Sequence, residues 1–99
     1  MNKIIYLGGK VTGLPAEQVA QKFSRKADEL TAAGARVYNP IDIVEAHGAG
    51  NSWEDAMKTC IGYLIAADEL HLMPCWQDSK GAVMERDIAL RLGMKIVYH

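Results

Sequence analysis

Along this chain, short apolar and β-branched runs alternate with longer stretches of helical periodicity, and glycine or proline marks almost every junction. That alternation constrains the fold more than any single motif, because strands separated by helices pair in parallel through right-handed crossovers. Lys3 to Leu7 (KIIYL) closes on Gly8 and Gly9, as a buried strand ending in a turn does. After Pro15, which a first helical turn tolerates, Val19, Phe23, Ala27 and Leu30 recur at helical spacing until Gly34. Ala35 to Tyr38 reads as a second strand, ended by the turn-forming pair Asn39-Pro40. From Ile41 to Gly50 the pattern supports one helical turn and then loosens. Ser52 caps a second helix, with Asp55 three residues on and an apolar face of Met57, Ile61, Leu64 and Ile65. Glu69 to Met73, stopped by Pro74, and Lys95 to Tyr98, preceded by the Gly93 stop, are two more strands, with a third helix over Lys80 to Leu92 between them.

The expected fold is therefore α/β, three-layer and Rossmann-like (flavodoxin-like), a parallel sheet of about four strands with flanking helices. The length of 99 residues is enough for one domain spanning residues 1–99, and four strands with three helices use it up. Little chain is left over to wall a pocket, so a homo-oligomer (dimer or larger) with sites near the interface is expected.

Eleven basic residues against twelve acidic ones give a net charge of -1, so no global field draws the chain to a nucleic acid polymer or an anionic membrane. Apolar runs such as Ile61 to Ala67 are far shorter than the ~20 residues of a membrane span, and the first strand begins without a signal-peptide core. A cytoplasmic address is expected, with Cys60 and Cys75 as free thiols. His47, His71 and His99 show no metal-ligand spacing, and no nucleophile elbow occurs, which speaks against zinc and a Ser–His–Asp hydrolase. Gly8, Gly9 and Gly13 fit neither a phosphate loop of the triphosphatase kind nor the dinucleotide fingerprint. Neither a metal nor a cofactor is expected.

Ligands of open parallel sheets bind beyond the carboxyl ends of the strands. Gly8, Gly9, Thr12 and Gly13 follow the first strand there, and Pro74, Trp76, Ser79 and Gly81 follow the third. Both loops feed helix N-termini, whose unpaired N–H groups suit an anion or several hydroxyls. The same glycines also serve a plain strand-to-helix turn. Glu85 shares a helix face with Ala82, Ile88 or Ala89, and Leu92, where a carboxylate is out of place. Either it opens into a cleft, or the helix is rotated and Glu85 is solvated. Asp68, entering the third strand, reads as a turn former or as a second carboxylate near the same edge. Tyr6 is either plain core or a hydroxyl reaching the cleft. Trp53 and Trp76 flank the edge, and Trp76 reads equally as a stacking surface for a flat base or a cap on the core. Met57, Met73, Met84 and Met94 sit at core-like positions.

The strings Tyr6-Leu7-Gly8-Gly9-Lys10-Val11-Thr12-Gly13, Val37-Tyr38-Asn39-Pro40, Trp53 with Met57, Asp68 before Leu70-His71-Leu72-Met73-Pro74-Cys75-Trp76, and Ser79-Lys80-Gly81-Ala82-Val83-Met84-Glu85 together resemble the DUF4406 family of phage and bacterial proteins. That family is similar to the nucleoside 2-deoxyribosyltransferases and the deoxynucleoside monophosphate N-glycosidases. The resemblance implies a small-molecule nucleoside or nucleotide as partner. It implies Glu85 as the nucleophile at the anomeric carbon, Tyr6 as the residue orienting it, and Asp68 as the acid assisting the departing base. It further implies that Ser79 and Gly81 hold the sugar or its 5′-phosphate, with Gly8 and Gly9 in the opposing loop. The implied reaction is N-glycosidic cleavage or 2-deoxyribosyl transfer through a covalent glycosyl-glutamate. Ser79 stands where the transferases tend to carry an acidic residue, a choice closer to the monophosphate glycosidases. The alternative is a non-catalytic nucleotide-binding module of phage or prophage origin.

Overall fold

The computed structural model describes residues 2–99. In chain order the elements are β1 (Ile4–Gly8), α1 (Ala16–Ala32), β2 (Arg36–Tyr38), α2 (Pro40–His47), α3 (Trp53–Ala66), β3 (Glu69–Leu72), a 3-10 turn at Trp76–Asp78, α4 (Lys80–Arg91) and β4 (Lys95–Tyr98). The four strands form one sheet in the order β2-β1-β3-β4, and every neighbouring pair is parallel. This is the expected Rossmann-like α/β arrangement.

One element differs from expectation. The segment after Asn39 is not a single turn but the eight-residue helix α2. Asn39-Pro40, read from the sequence as a turn, is in fact the start of that helix. Asn39 Oδ1 accepts from the Ile41 N–H over 3.0 Å, and Pro40 occupies the first helical position, where its missing N–H costs nothing. Gly48, at φ 61°, closes the helix in a left-handed cap that a residue with a side chain adopts only at a cost. Among the described residues the α-helices therefore number four rather than three.

The period of two along the strands sorts their side chains between two cores. Tyr6, Leu70 and Leu72 face Ile43, Cys60, Leu64, Ala82 and Ala89 from α2, α3 and α4. Leu7 faces the opposite side, where it packs with Val19 and Phe23 of α1 and with Met73. β1, central and covered on both faces, reads as an unbroken apolar run, whereas β3 alternates Leu70 and Leu72 with the buried polar residues Glu69 and His71. Phe23 is fully buried, so truncating it to alanine costs about 3–5 kcal/mol.

Strand order decides where a ligand can enter. From β1 the chain crosses to β2 on one side, then returns over β1 to β3 on the other, so the order reverses between β1 and β3. At their carboxyl ends the Met73 N–H donates to the Gly8 carbonyl over 2.9 Å, and the two loops diverge from there. The divergence leaves a crevice at this switch point.

Candidate active site

Glu85 lies in the second turn of α4, on the buried face it shares with Ala82 and Ala89. Ser79 sets the start of that helix, its Oγ accepting from the Ala82 N–H over 3.1 Å. Ala82 and Ala89 pack into the core and turn that face of α4 inward, which leaves Glu85 6% exposed against the sheet. Its partner is Tyr6, fully buried in the middle of β1, whose hydroxyl donates to Glu85 Oε2 over 2.5 Å. Among the described residues nothing donates to Oε1, and Glu85 lines a cavity.

Burial pushes the Glu85 carboxyl up to about 7, against the opposing pull of the Tyr6 hydrogen bond. Burial likewise holds the Tyr6 phenol well above its ordinary range, and the neighbouring Glu85 charge adds to the effect. Near neutral pH the carboxyl is therefore shared between its two protonation states while the phenol remains a donor. Burial also raises the Cys60 thiol, which sits beside Tyr6 in the same cavity wall.

The cavity holds about 230 Å³, just below the ~300–1,000 Å³ usual for small-molecule sites. Besides Tyr6 of β1 and Phe23 of α1, four parts of the chain build it. The β1–α1 loop supplies Gly9, Val11 and Thr12; the start of α2 supplies Pro40, Ile41 and Val44; α3 supplies Trp53, Met57 and Cys60; the start of α4 supplies Ser79 and Gly81. The lining is mostly apolar, with the Thr12 and Ser79 hydroxyls and the Glu85 carboxyl as its polar points. At Gly81 a Cβ would lie 3.1 Å from Met57 Sδ and 3.6 Å from Trp53 Nε1, so the bare backbone keeps this wall open. The Lys80 ammonium lies 4.1 Å from the centre of the Trp53 ring, tying the start of α4 to the start of α3.

Six of the residues singled out from the sequence, Tyr6, Gly9, Thr12, Ser79, Gly81 and Glu85, line this one cavity. Gly8 lies behind Glu85, where a Cβ would sit 3.4 Å from Oε1. Two others are elsewhere. Trp76 packs against Tyr98, with ring centres 5.6 Å apart, and beneath the Arg86 guanidinium, so it caps the α4 core and does not line the cavity. Asp68 is exposed at the amino end of β3, where its carboxylate accepts from the Ile4 N–H over 2.8 Å. The four residues of β3, at ~3.3 Å each, put it roughly 13 Å from the edge where Glu85 sits. No carboxylate except Glu85 lines the cavity among the described residues.

Cys60 and Met57 went unnoticed in the sequence as cavity residues. Their helical spacing shows that they face inward but not whether they meet side chains or space. Val44 and Ile41 were missed because the helix that carries them was read as a loosening turn.

Fold and site together define a parallel α/β protein with a carboxyl–phenol pair buried at the strand switch point. Residues 3–98 match the family described as a domain of unknown function, DUF4406, and the chain belongs to that family. No curated protein and no solved structure matches it. No helix among the described residues is long and apolar enough to cross a membrane.

Proposed function

We propose that this protein cleaves or exchanges the N-glycosidic bond of a 2-deoxynucleoside or its 5′-monophosphate through a covalent intermediate on Glu85. The observation that carries this reading is the asymmetry of the carboxyl group in a residue that lines the cavity: Tyr6 holds Oε2, while Oε1 accepts no hydrogen bond among the described residues. A carboxylate held at one oxygen keeps the other directed at a bound electrophile. The likeness of the sequence motifs to the deoxyribosyltransferases and monophosphate glycosidases agrees with it.

In the first step Glu85 Oε1 forms a bond to C1′ as the C1′–N bond breaks, and the electron pair leaves with the base, which takes a proton from water at the cavity mouth. The transition state is oxocarbenium-like, and the adjacent carboxylate stabilises its positive charge. In the second step water or another base attacks C1′ and frees Glu85. Its raised proton affinity means that only the ionised fraction is competent for attack, so turnover rises as pH climbs through about 7. Tyr6 orients the nucleophile rather than titrating. In this reading Thr12 of the β1–α1 loop, with Ser79 and Gly81 at the start of α4, holds the sugar or its phosphate. Asp68 has no part in this scheme, because it stands at the far edge of the sheet. A cytoplasmic homo-oligomer remains part of the proposal, and sedimentation of the full chain reads the oligomer directly.

The test is to incubate the protein and its Glu85→Ala variant with a panel of deoxynucleosides and monophosphates, with and without a free base, and to resolve base release or exchange by chromatography. Release by the wild type and none by the variant is expected. Activity surviving in Glu85→Ala overturns the mechanism, and tight nucleotide binding without any release favours a binding module instead.

A further inference from the structure

On the α1 side of the sheet, β1 and β2 are covered by α1, whereas β3 and β4 carry polar side chains. Glu69 and His71 of β3 are 6% and 7% exposed there, and they form a fixed chain with His99. Glu69 Oε1 lies 2.9 Å from His71 Nε2, and His71 Nδ1 lies 2.9 Å from His99 Nε2. A carboxylate only accepts, so His71 Nε2 donates to Glu69 while its Nδ1 shares a hydrogen bond with His99 Nε2. The other Glu69 oxygen pairs with Lys3 at 2.9 Å, which leaves the whole chain little freedom. His99 is thereby fixed as one wall of an open groove of about 760 Å³, separate from the Glu85 cavity.

The opposite wall is one face of α1, and it is cationic. Lys22, Arg25 and Lys26 line the groove together with Lys10, against one side-chain carboxylate among the described residues, that of Glu29. Lys26 takes up that carboxylate at 2.7 Å, and Lys22 is held by the Lys10 carbonyl at 3.1 Å. Lys10, Lys22 and Arg25 have no ion-pair partner among the described residues. The floor is apolar, formed by Met73 and Pro74 with Leu14 at the rim. Cations above an apolar floor match a ligand with phosphoryl groups on a flat ring, and a guanidinium pairs with phosphate oxygens two at a time.

We propose that this groove is a second ligand site, distinct from the Glu85 cavity, for a nucleotide-sized phosphorylated small molecule. The two sites share one wall. A Cβ at Gly9 would lie 2.8 Å from Met73 Cε and 3.4 Å from Phe23 Cζ, so Met73 touches the groove on one side and abuts two Glu85-cavity residues on the other. A ligand pressing on Met73 therefore bears on the backbone of the β1–α1 loop.

The test uses the full ¹⁵N-labelled chain titrated with inorganic pyrophosphate, adenosine 5′-diphosphate and, as the uncharged control, adenosine. The expected result is saturable amide shifts at Lys22, Arg25, Lys26 and Cys75 with both phosphorylated probes and none there with adenosine. Arg25→Glu weakens this binding at least about tenfold, the equivalent of some 1.4 kcal/mol, while Glu85→Gln leaves it unchanged. Arg25→Ala, which removes the guanidinium without reversing charge, gives the same direction with a smaller effect. Shifts confined to Thr12 and Ser79 to Ala82, no saturation, or equal binding by Arg25→Glu would each overturn the proposal. So would a single-stranded oligonucleotide saturating the groove at a hundredfold lower concentration than the diphosphate, since that outcome assigns the surface to nucleic acid. The readout maps to residues outside the Glu85 cavity and does not depend on whether that cavity is catalytic.

Discussion

The Tyr6 hydroxyl donates to Glu85 Oε2 over 2.5 Å, joining the middle of the first strand to the second turn of the last helix across 79 positions of sequence. Burial and this one hydrogen bond act on Glu85 in opposite directions, and burial wins. The consequence is a carboxyl that changes charge near neutrality, next to a phenol that does not.

Replacing Tyr6 with phenylalanine removes the contribution that favours the ionised carboxylate. The Glu85 titration then moves upward from about 7, visible in the carbon resonance of its carboxyl group and in the acid limb of any pH–rate profile. A hydrogen bond to a charged group contributes about 1.5–3 kcal/mol, so kcat/KM falls roughly 10- to 100-fold. An unmoved midpoint would show that Tyr6 does not set the state of Glu85.

Glu85→Gln abolishes turnover and changes how stability depends on pH. With an ordinary value of 4.5 and a folded value of about 7, the folded protein holds a proton that the unfolded chain releases between these limits. Wild-type stability therefore falls as pH rises through that window, by up to about 3 kcal/mol, and the glutamine variant lacks this loss. Urea unfolding at pH 4 and pH 8 should show the variant gaining on the wild type by that amount. A difference independent of pH would mean that Glu85 is not buried as an ionisable group.

Gly8→Ala and Gly9→Ala, adjacent and chemically identical, should differ. At Gly8 the new Cβ meets Leu72 Cδ2 at 2.9 Å, within a fully buried core, and crowds Glu85 Oε1 at 3.4 Å. Such overpacking costs about 1–3 kcal/mol, or at least about 4 °C in Tm for a domain of this size, and displaces the carboxyl. At Gly9 the closest atom is Met73 Cε at 2.8 Å, the far end of a buried but unbranched side chain, with Met73 Cβ and Phe23 Cζ at 3.4 Å, so the expected cost is smaller than at Gly8. Thermal unfolding of the two variants side by side decides the matter, and an equal cost would refute the packing argument.

Asp68→Ala removes the acceptor of the Ile4 N–H at an exposed strand end, so stability drops by less than about 1 kcal/mol. Because that end lies across the sheet from Glu85, the loss in transition-state stabilisation should be under about 0.6 kcal/mol, roughly threefold in kcat/KM. A drop well beyond tenfold would bring Asp68 back into the reaction.

Much of the fold was legible because local patterns match what the tertiary structure uses. The β-branched apolar run in Lys3 to Leu7 and the helical spacing from Val19 to Leu30 survive as β1 and α1. Asn39-Pro40 was misjudged because the same two residues start a helix as readily as they end a strand, and only the residues that pack afterwards decide between the two. In the site, Glu85 stood out as a charge on an apolar face, and the loop glycines followed from the rule that places ligands at strand ends. Trp76 did not follow because its ring packs on Tyr98 away from the cavity, and Asp68 because it stands at the amino end of β3, the edge opposite the site.

By itself the sequence determined the order of strands and helices, the parallel pairing that this order requires, and the presence of one carboxylate that the core has no reason to hold. These are consequences of periodicity and local propensity, which act between near neighbours. Only the tertiary structure decided which groups share a cavity. The packing of Ala82 and Ala89 on the sheet turns Glu85 inward, the parity of β1 sets the side of Tyr6, and the length of β3 sets how far Asp68 stands from both. Those choices depend on packing between elements far apart in the chain, a dependence that no local pattern records.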